Sequence, residues 1–109
     1  MVNYPRRDEV WLIALDPSKG SEIKKTRPCL VVSPDEMNEF LHTTLVAPMT
    51  TTLRNYPTRV DLVFRGKAGQ IALDQLRAVD RQRLVRKLGA ITARAASEVS
   101  SVLVEIFVR

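Results

Sequence analysis

Short apolar stretches rich in β-branched residues follow one another along most of this 109-residue chain, and turn residues end each of them. This composition and spacing are typical of antiparallel β structure. The pattern predicts five strands, over Val10–Leu15, Cys29–Ser33, Leu45–Met49, Arg59–Phe64 and Ile71–Leu76. A flat sheet of this size would leave edges exposed, so the pattern favours a small antiparallel barrel over the alternative, an open sheet with a helix on one face.

Two short helical turns are predicted among the strands. Ser33-Pro34-Asp35-Glu36 matches a capping box with proline at the first helical position, which predicts a turn running to about Leu41. Asp80 is expected to cap a second turn through Leu84, and the β portion is expected to end near Gly89.

The last segment is predicted to be an amphipathic helix capped by Thr92. Its apolar residues recur at spacings of three and four, at Ala95, Val99, Val102, Leu103, Ile106 and Phe107. One helix face must therefore pack on the barrel or on a second subunit. The predicted class is mainly β with α.

Length and composition indicate one domain over residues 1–109 and a cytoplasmic protein. The chain shows no repeat or linker, and its single cysteine, Cys29, cannot form an internal disulfide. The polar start of the chain does not resemble an export signal. The longest apolar run, Val102 to Val108, is too short to span a membrane, so no membrane association is expected.

The charge balance is basic, with 17 Lys and Arg against 12 Asp and Glu and a net charge of +5. Composition alone is equally compatible with a solvated basic surface and with binding to a polyanion. Most of the cations are arginine, whose planar guanidinium suits phosphate. This favours nucleic acid as the binding partner.

Several kinds of catalytic site are ruled out or disfavoured by the residues present. The chain has one histidine, His42, and one cysteine, Cys29, so a structural zinc site is excluded and no metal or cofactor is expected. Cys29 lies in an apolar strand, where a buried thiol is inert, and no glycine-rich phosphate loop is present. The remaining arginines, threonines and acids suit phosphate binding, and RNA carries its own nucleophile in the 2′-hydroxyl.

Four blocks of sequence resemble the MazF/PemK family of toxin ribonucleases over essentially the whole chain. They are Glu9 to Glu22 (EVWLIALDPSKGSE), Lys25 to Pro34 (KTRPCLVVSP), Val46 to Thr50 (VAPMT) with Tyr56 to Arg59 (YPTR), and Gly69 to Arg77 (GQIALDQLR). Their order and spacing, followed by an amphipathic helix, make the match specific.

The resemblance implies an SH3-like barrel that forms a homodimer. It also implies sequence-selective, metal-independent cleavage of single-stranded RNA such as mRNA, leaving 2′,3′-cyclic phosphate and 5′-hydroxyl ends. Such a protein is the toxin of a type II toxin-antitoxin system, inhibits translation and growth, and is itself inhibited by a cognate acidic antitoxin.

Carried over by position, the family's catalytic arginine and threonine fall on Arg27 and Thr50. Arg27 suits stabilisation of the charge on the reacting phosphate, and Thr50 can add a hydrogen bond. Glu22 is the nearest carboxylate in the motif and is the hypothetical acceptor of the 2′-hydroxyl proton. The same blocks and loops supply the residues expected to bind substrate, which are Ser21, Lys25, Thr51, Arg54, Gln75 and Arg77.

Two departures place the chain in the MazF branch. The PemK branch carries an arginine two positions before its Asp-Gln motif and a histidine in its first loop, and here these positions are Ala72 and Ser21. Both differences argue against a catalytic role for Asp74, which fits a polar strand end as well as an RNA contact.

Alternative interpretations remain for the function and for the aromatic residues. A CcdB-like gyrase-binding toxin and a non-catalytic RNA-binding module both fit the barrel, although the Thr-Arg-Pro and Ala-Pro-Met-Thr motifs speak against them. Trp11, Phe64 and Phe107 are expected in the core rather than as surfaces for base stacking.

Overall fold

The computed structural model describes residues 4–16, 19–23 and 25–109. Within them lie seven strands, two α-helices and two 3-10 turns. The strands are β1 (Glu9–Ala14), β2 (Thr26–Val31), β3 (Thr43–Thr50), β4 (Arg59–Phe64), β5 (Lys67–Ala72), β6 (Arg77–Asp80) and β7 (Leu84–Ala90). The helices are α1 (Asp35–Phe40) and α2 (Ala93–Phe107), and the 3-10 turns are Leu73–Gln75 and Arg81–Arg83.

The strands form one antiparallel sheet in the order β4-β5-β3-β2-β1-β7, with β6 also paired to β3. The long strand β3 organises this arrangement, because one edge pairs with β2 while the other pairs with β6 along its first half and with β5 at Met49 and Thr50. The sheet therefore curls into a half-barrel. The predicted class, a small antiparallel barrel that is mainly β with a C-terminal helix, is confirmed.

Of the two strands on either side of the Arg65–Gly66 turn, local sequence correctly predicted the first but not the second. β4 has the predicted bounds, and both turn residues have positive φ, as a tight hairpin requires. The predicted strand Ile71–Leu76 is wrong, because β5 begins at Lys67 directly after the turn and ends at Ala72. Its hydrogen bonds come from the ladder with β4, so polar and small residues suffice.

Three further strand assignments are corrected by main-chain pairing. β2 begins at Thr26 rather than Cys29, because Thr26 and Arg27, which precede Pro28, already pair with β1. The strand ends at Val31. Strands β6 and β7 were missed, because most of their side chains are polar or exposed. β7 is held mainly by its ladder with β1.

The predicted capping box is also wrong. Pro34 is the N-cap of α1 and makes no side-chain cap hydrogen bond. Ser33 is buried instead, donating from Oγ to Asn38 Oδ1 at 2.5 Å and accepting from the Leu45 backbone N–H at 3.1 Å. Its hydroxyl therefore ties the helix to β3.

The other predicted caps are confirmed. Asp80 accepts a hydrogen bond from the Gln82 backbone N–H at 2.8 Å, and Thr92 accepts one from the Ala95 backbone N–H at 3.2 Å. Each satisfies a backbone donor that the start of a helix leaves unpaired.

The core consists of two clusters of buried residues. One lies between the sheet and α2 and contains Val10, Leu30, Ala47, Val60, Ile71, Leu73 and Val99. The other contains Ile13, Leu15, Cys29, Val31, Val46 and Val79. Phe64 packs against the first and Trp11 against the second, as predicted.

The C-terminal end of α2 departs from the prediction. Val99, Val102 and Leu103 pack on the first cluster, whereas Phe107 is 67% exposed and is not a core residue. The apolar residues recur along one side of the helix as predicted, but only those in its middle contact the core. No helix in the described ranges is long and apolar enough to cross a membrane.

Candidate active site

A polar cleft of about 530 Å³ opens where the loop between β1 and β2, the end of β3, the start of β4 and the Leu73–Gln75 turn meet. Segments far apart in sequence contribute to it because antiparallel pairing brings strand ends together. Its lining residues are Ser21, Glu22, Ile23, Arg27, Thr50, Thr51, Thr52, Arg54, Tyr56, Arg59, Asp74 and Gln75.

Arg27 lies in strand β2, because this strand begins before the predicted start at Cys29. Its backbone pairs with Ile13 of β1, which fixes the position from which the side chain extends. The guanidinium Nη1 donates to the Met49 carbonyl oxygen at 3.4 Å. Since Met49 precedes Thr50, this contact brings the guanidinium alongside the end of β3.

Thr50 is the last residue of β3 and pairs with Gln70 of β5. Its Oγ1 accepts a hydrogen bond from the Thr52 backbone N–H at 3.1 Å. A hydroxyl that accepts one hydrogen bond still carries a proton that it can donate. Arg27 and Thr50 thus place a cation and a hydroxyl in the same cleft.

The loop between β1 and β2 supplies Ser21 and Glu22. Glu22 Oε1 accepts a hydrogen bond from the Lys19 backbone N–H at 2.5 Å, so the exposed carboxylate is held by its own turn. The loop is tied to the opposite wall, because the Ile23 backbone N–H donates to Gln75 Oε1 at 2.7 Å. Gln75 therefore orders the wall that carries Glu22.

Two predicted substrate-binding residues do not line this cleft. Lys25 is exposed with a φ of 73°, and its backbone N–H donates to Asp16 Oδ1 at 3.2 Å. Arg77 donates to the Leu15 carbonyl oxygen at 3.2 Å and lines an adjoining pocket of about 190 Å³, shared with Glu22 and Gln75. The other predicted site residues all line the cleft.

An ion pair in the cleft, Arg59 with Asp74, was not predicted. Arg59 Nε lies 2.8 Å from Asp74 Oδ1 and Nη2 lies 3.3 Å from Oδ2, while only 6% of the Arg59 side chain is exposed. Thr58 Oγ1 donates to the same carboxylate at 3.2 Å. Burial favours the neutral acid, but the hydrogen bonds from Arg59 and its charge prevail and hold the pKa of Asp74 below its usual range.

Tyr56 was not predicted as a site residue either. Its ring lies against the Arg59 guanidinium, whose Cζ is 5.1 Å from the ring centroid, within the range of a cation–π contact. An aromatic residue three positions before an arginine, across Pro57, was the available sequence signal. No nearby feature of the sequence indicated that Asp74 would contact Arg59.

Gln70, buried on β5, holds the loop that follows β3. Its Oε1 accepts from the Arg54 backbone N–H at 3.0 Å, and its Nε2 donates to the Arg54 carbonyl oxygen at 3.1 Å. Nε2 also donates to Asp61 Oδ1 at 2.8 Å, which orients the amide. The main chain of Arg54 is therefore fixed above the cleft.

The chain's single cysteine and histidine lie elsewhere. Cys29 is fully buried, as predicted, and burial raises the pKa of its thiol to about 12, so it is neutral and unreactive. His42 is exposed and does not line the cleft. Across the described ranges, no three His, Cys, Asp or Glu side chains are grouped so as to hold a metal ion.

Comparison with known proteins identifies similar chains. Residues 6–107 match the family model of PemK-like, MazF-like toxins of type II toxin-antitoxin systems. Endoribonuclease MazF9 of Mycobacterium tuberculosis is 31% identical over 108 residues, which cover 90% of this chain and 92% of that protein.

Solved structures share the fold. The crystal structure of MazF from Deinococcus radiodurans has a TM-score of 0.84 and 27% identity, covering 96% of this chain and 97% of that one. An endoribonuclease from a mycobacterial species, in complex with its cognate antitoxin, has a TM-score of 0.79 and 22% identity, covering 93% of this chain and 92% of that one. At 22% identity the likeness concerns the fold alone.

Proposed function

The chain belongs to the PemK-like, MazF-like toxin family of type II toxin-antitoxin systems, and on that basis we propose that it is a metal-independent endoribonuclease acting on single-stranded RNA. The convergence of Arg27 and Thr50 on one cleft carries the proposal. These groups can bind a phosphodiester and offset negative charge, and RNA provides the attacking oxygen.

In the proposed reaction, the 2′-oxygen of a ribose forms a bond to the adjacent phosphorus and the bond from phosphorus to the 5′-oxygen breaks. The products are a 2′,3′-cyclic phosphate and a 5′-hydroxyl. Arg27 offsets the charge that builds on the phosphate oxygens, and Thr50 donates a hydrogen bond to one of them. Glu22 accepts the proton of the 2′-hydroxyl, and the departing 5′-oxygen takes up a proton from solvent water.

Ser21, Thr51, Arg54 and Gln75 are proposed to contact the RNA on either side of the cut, since they line the cleft around Arg27. Lys25 and Arg77 are proposed to contact the RNA at the margin of the cleft. The loop between β1 and β2 and the loop between β3 and β4 both line the cleft. They are the proposed source of sequence selectivity, because selectivity for single-stranded RNA comes from the groups that contact its unpaired bases.

As the toxin of such a pair, the protein is proposed to inhibit translation and growth by cutting mRNA in the cytoplasm, and to act as one domain that forms a homodimer. An acidic antitoxin is the proposed inhibitor, because a protein with a net charge of +5 attracts an acidic chain. The matching family consists of toxins of type II toxin-antitoxin systems, which supports this partner.

The function is tested with purified protein and a mixed-sequence RNA oligonucleotide in EDTA, with mass analysis of the product ends. We expect cleavage with cyclic phosphate ends, and no cleavage of DNA or of fully 2′-O-methylated RNA, because neither carries a free 2′-hydroxyl. Arg27→Ala should lower the rate about 100-fold or more, whereas the control Arg94→Ala, on the exposed face of α2, should cleave normally.

Other outcomes would overturn the proposal. RNA that stays intact while gyrase is trapped on DNA would support a gyrase-binding toxin. Binding of RNA without cleavage would indicate a non-catalytic module. Full activity of Arg27→Ala would show that the proposed active site is wrong.

A further inference from the structure

Tyr56 offers an aromatic face inside the cleft. The residue is 49% exposed and lines the cleft together with Arg27 and Thr50. The guanidinium of Arg59 lies against the ring, with its Cζ 5.1 Å from the centroid. Because this guanidinium covers one face, the face on which a ligand could stack is the opposite one. An exposed tyrosine ring in a polar cleft adds little to the stability of the core.

The ring is held in place from beneath. Arg59 is nearly buried and is fixed by its two-pronged contact with Asp74 and by a 3.5 Å hydrogen bond from its Nη1 to Gln70 Oε1. Its backbone N–H donates to the Tyr56 carbonyl oxygen at 3.1 Å, which closes a turn through Pro57. A ring fixed in this way loses little conformational freedom when a ligand stacks on it.

The cleft has room for more than a phosphate group. Its volume of about 530 Å³ lies within the roughly 300–1,000 Å³ typical of pockets for small organic ligands. The neighbouring loop residue Arg54 adds positive charge at the same rim. Phosphate-binding groups beside an open aromatic face are the combination with which proteins bind single-stranded nucleic acid.

We propose that the open face of Tyr56 is a stacking site for one unpaired nucleobase next to the phosphate held by Arg27. The inference rests on the proposed ribonuclease function and extends it by assigning a base-binding residue. Arg59 and Asp74 act in this site as positioning residues, because they hold the ring and do not themselves touch the base.

The test uses fully 2′-O-methylated oligonucleotides that carry the fluorescent base 2-aminopurine at one position, moved stepwise along the strand. Stacking on an aromatic ring quenches this fluorophore. We expect quenching at one register with the wild-type protein and with Tyr56→Phe, which keeps the ring, and its loss with Tyr56→Ala.

Cleavage kinetics provide the second readout. Stacking of one base is worth about 1–3 kcal/mol, so Tyr56→Ala should raise KM for RNA about 5- to 150-fold with little change in kcat. Tyr4→Ala is the matched control, because Tyr4 also lies against an arginine, with the Arg6 Cζ 5.9 Å from its centroid, but does not line the cleft.

The results separate this inference from the function on which it rests. If the wild-type protein cleaves RNA and Tyr56→Ala keeps the wild-type KM and quenching, the stacking site is wrong while the ribonuclease stands. If Tyr56→Phe behaves like Tyr56→Ala, the hydroxyl rather than the ring face is used and the proposal is overturned. If the wild-type protein cleaves no RNA, the ribonuclease proposal fails first.

Discussion

Arg59 on β4 lies directly opposite Ala72 on β5, and its guanidinium extends past that residue to hold the carboxylate of Asp74. Ala72 is the position at which the PemK branch carries an arginine. An arginine therefore does lie beside Asp74 in this chain, but the neighbouring strand supplies it. The pairing keeps Asp74 ionised, which agrees with a structural rather than an acid–base role.

Asp74→Asn should lower the free energy of unfolding at pH 7 by about 1–3 kcal/mol, since charge-assisted hydrogen bonds are lost. The pKa of Asp74 is lowered in the folded state, so its stabilising effect is complete above the unfolded value of about 4 and disappears as the pH falls through the folded value. Urea unfolding of both proteins should show a gap that narrows below about pH 4. Glu39→Gln, at an exposed site on α1, should show no comparable gap, and a D74N gap that did not change with pH would contradict the ion pair.

Gln70→Leu should weaken RNA binding at least as much as Arg54→Ala, because Gln70 makes both hydrogen bonds to the Arg54 main chain and also accepts one from Arg59. Each variant should reduce the slope of log Kd for 2′-O-methylated RNA against log salt concentration by about 0.7, the contribution of one phosphate contact on a single strand. The double variant should bind RNA no more weakly than Gln70→Leu alone. Additive losses, or an unchanged slope in Q70L with normal folding, would show that Gln70 does not act through Arg54.

Gly69→Ala should impair catalysis through Thr50. A Cβ atom on Gly69 would lie 2.7 Å from the Thr50 carbonyl oxygen, which is closer than real contacts allow, so the end of β3 must shift. Displacements of about 1 Å in an active site can lower rates about 100-fold. We expect a large fall in kcat, measured on RNA, whereas Ala68→Ser on the exposed neighbouring position should have no effect. In a Thr50→Val background G69A should add little, and a full additional loss there would refute this route.

The Cys29 thiol should be unreactive in the folded protein. Its buried thiol has a pKa of about 12, so a thiol reagent such as DTNB at pH 8 should react only after unfolding. Cys29→Ala should cleave RNA at a rate within a few-fold of the wild type, because the thiol takes no part in the proposed chemistry. Rapid labelling of the native protein, or loss of cleavage in C29A with normal folding, would contradict this assignment.

Local sequence was sufficient where an element depends on its own residues. The alternating residues of β4, the Thr92 cap of α2 and the Asp80 cap of the turn at Arg81–Arg83 are all present as predicted. In each case the determining interaction lies within a few residues of chain, or in an alternation that one strand displays alone. The mainly β class followed from the same signals.

The remaining errors arose where a distant partner decides the structure. β5, β6 and β7 are held by main-chain ladders that any side chain permits, so Lys67 to Gln70 and Arg86 to Lys87 carried no local strand signal. The capping box at Ser33 failed because Asn38 and Leu45 compete for its hydroxyl.

The residues of the cleft show the same division. Sequence motifs located Arg27 and Thr50 along the chain, but only the curl of the sheet brings them together. Asp74 lies 15 positions from Arg59 in sequence, and their contact depends on the register between β4 and β5. Periodicity and capping are read from neighbours along the chain, whereas a binding site is defined by distances between strand ends, which are set only when the whole sheet has paired.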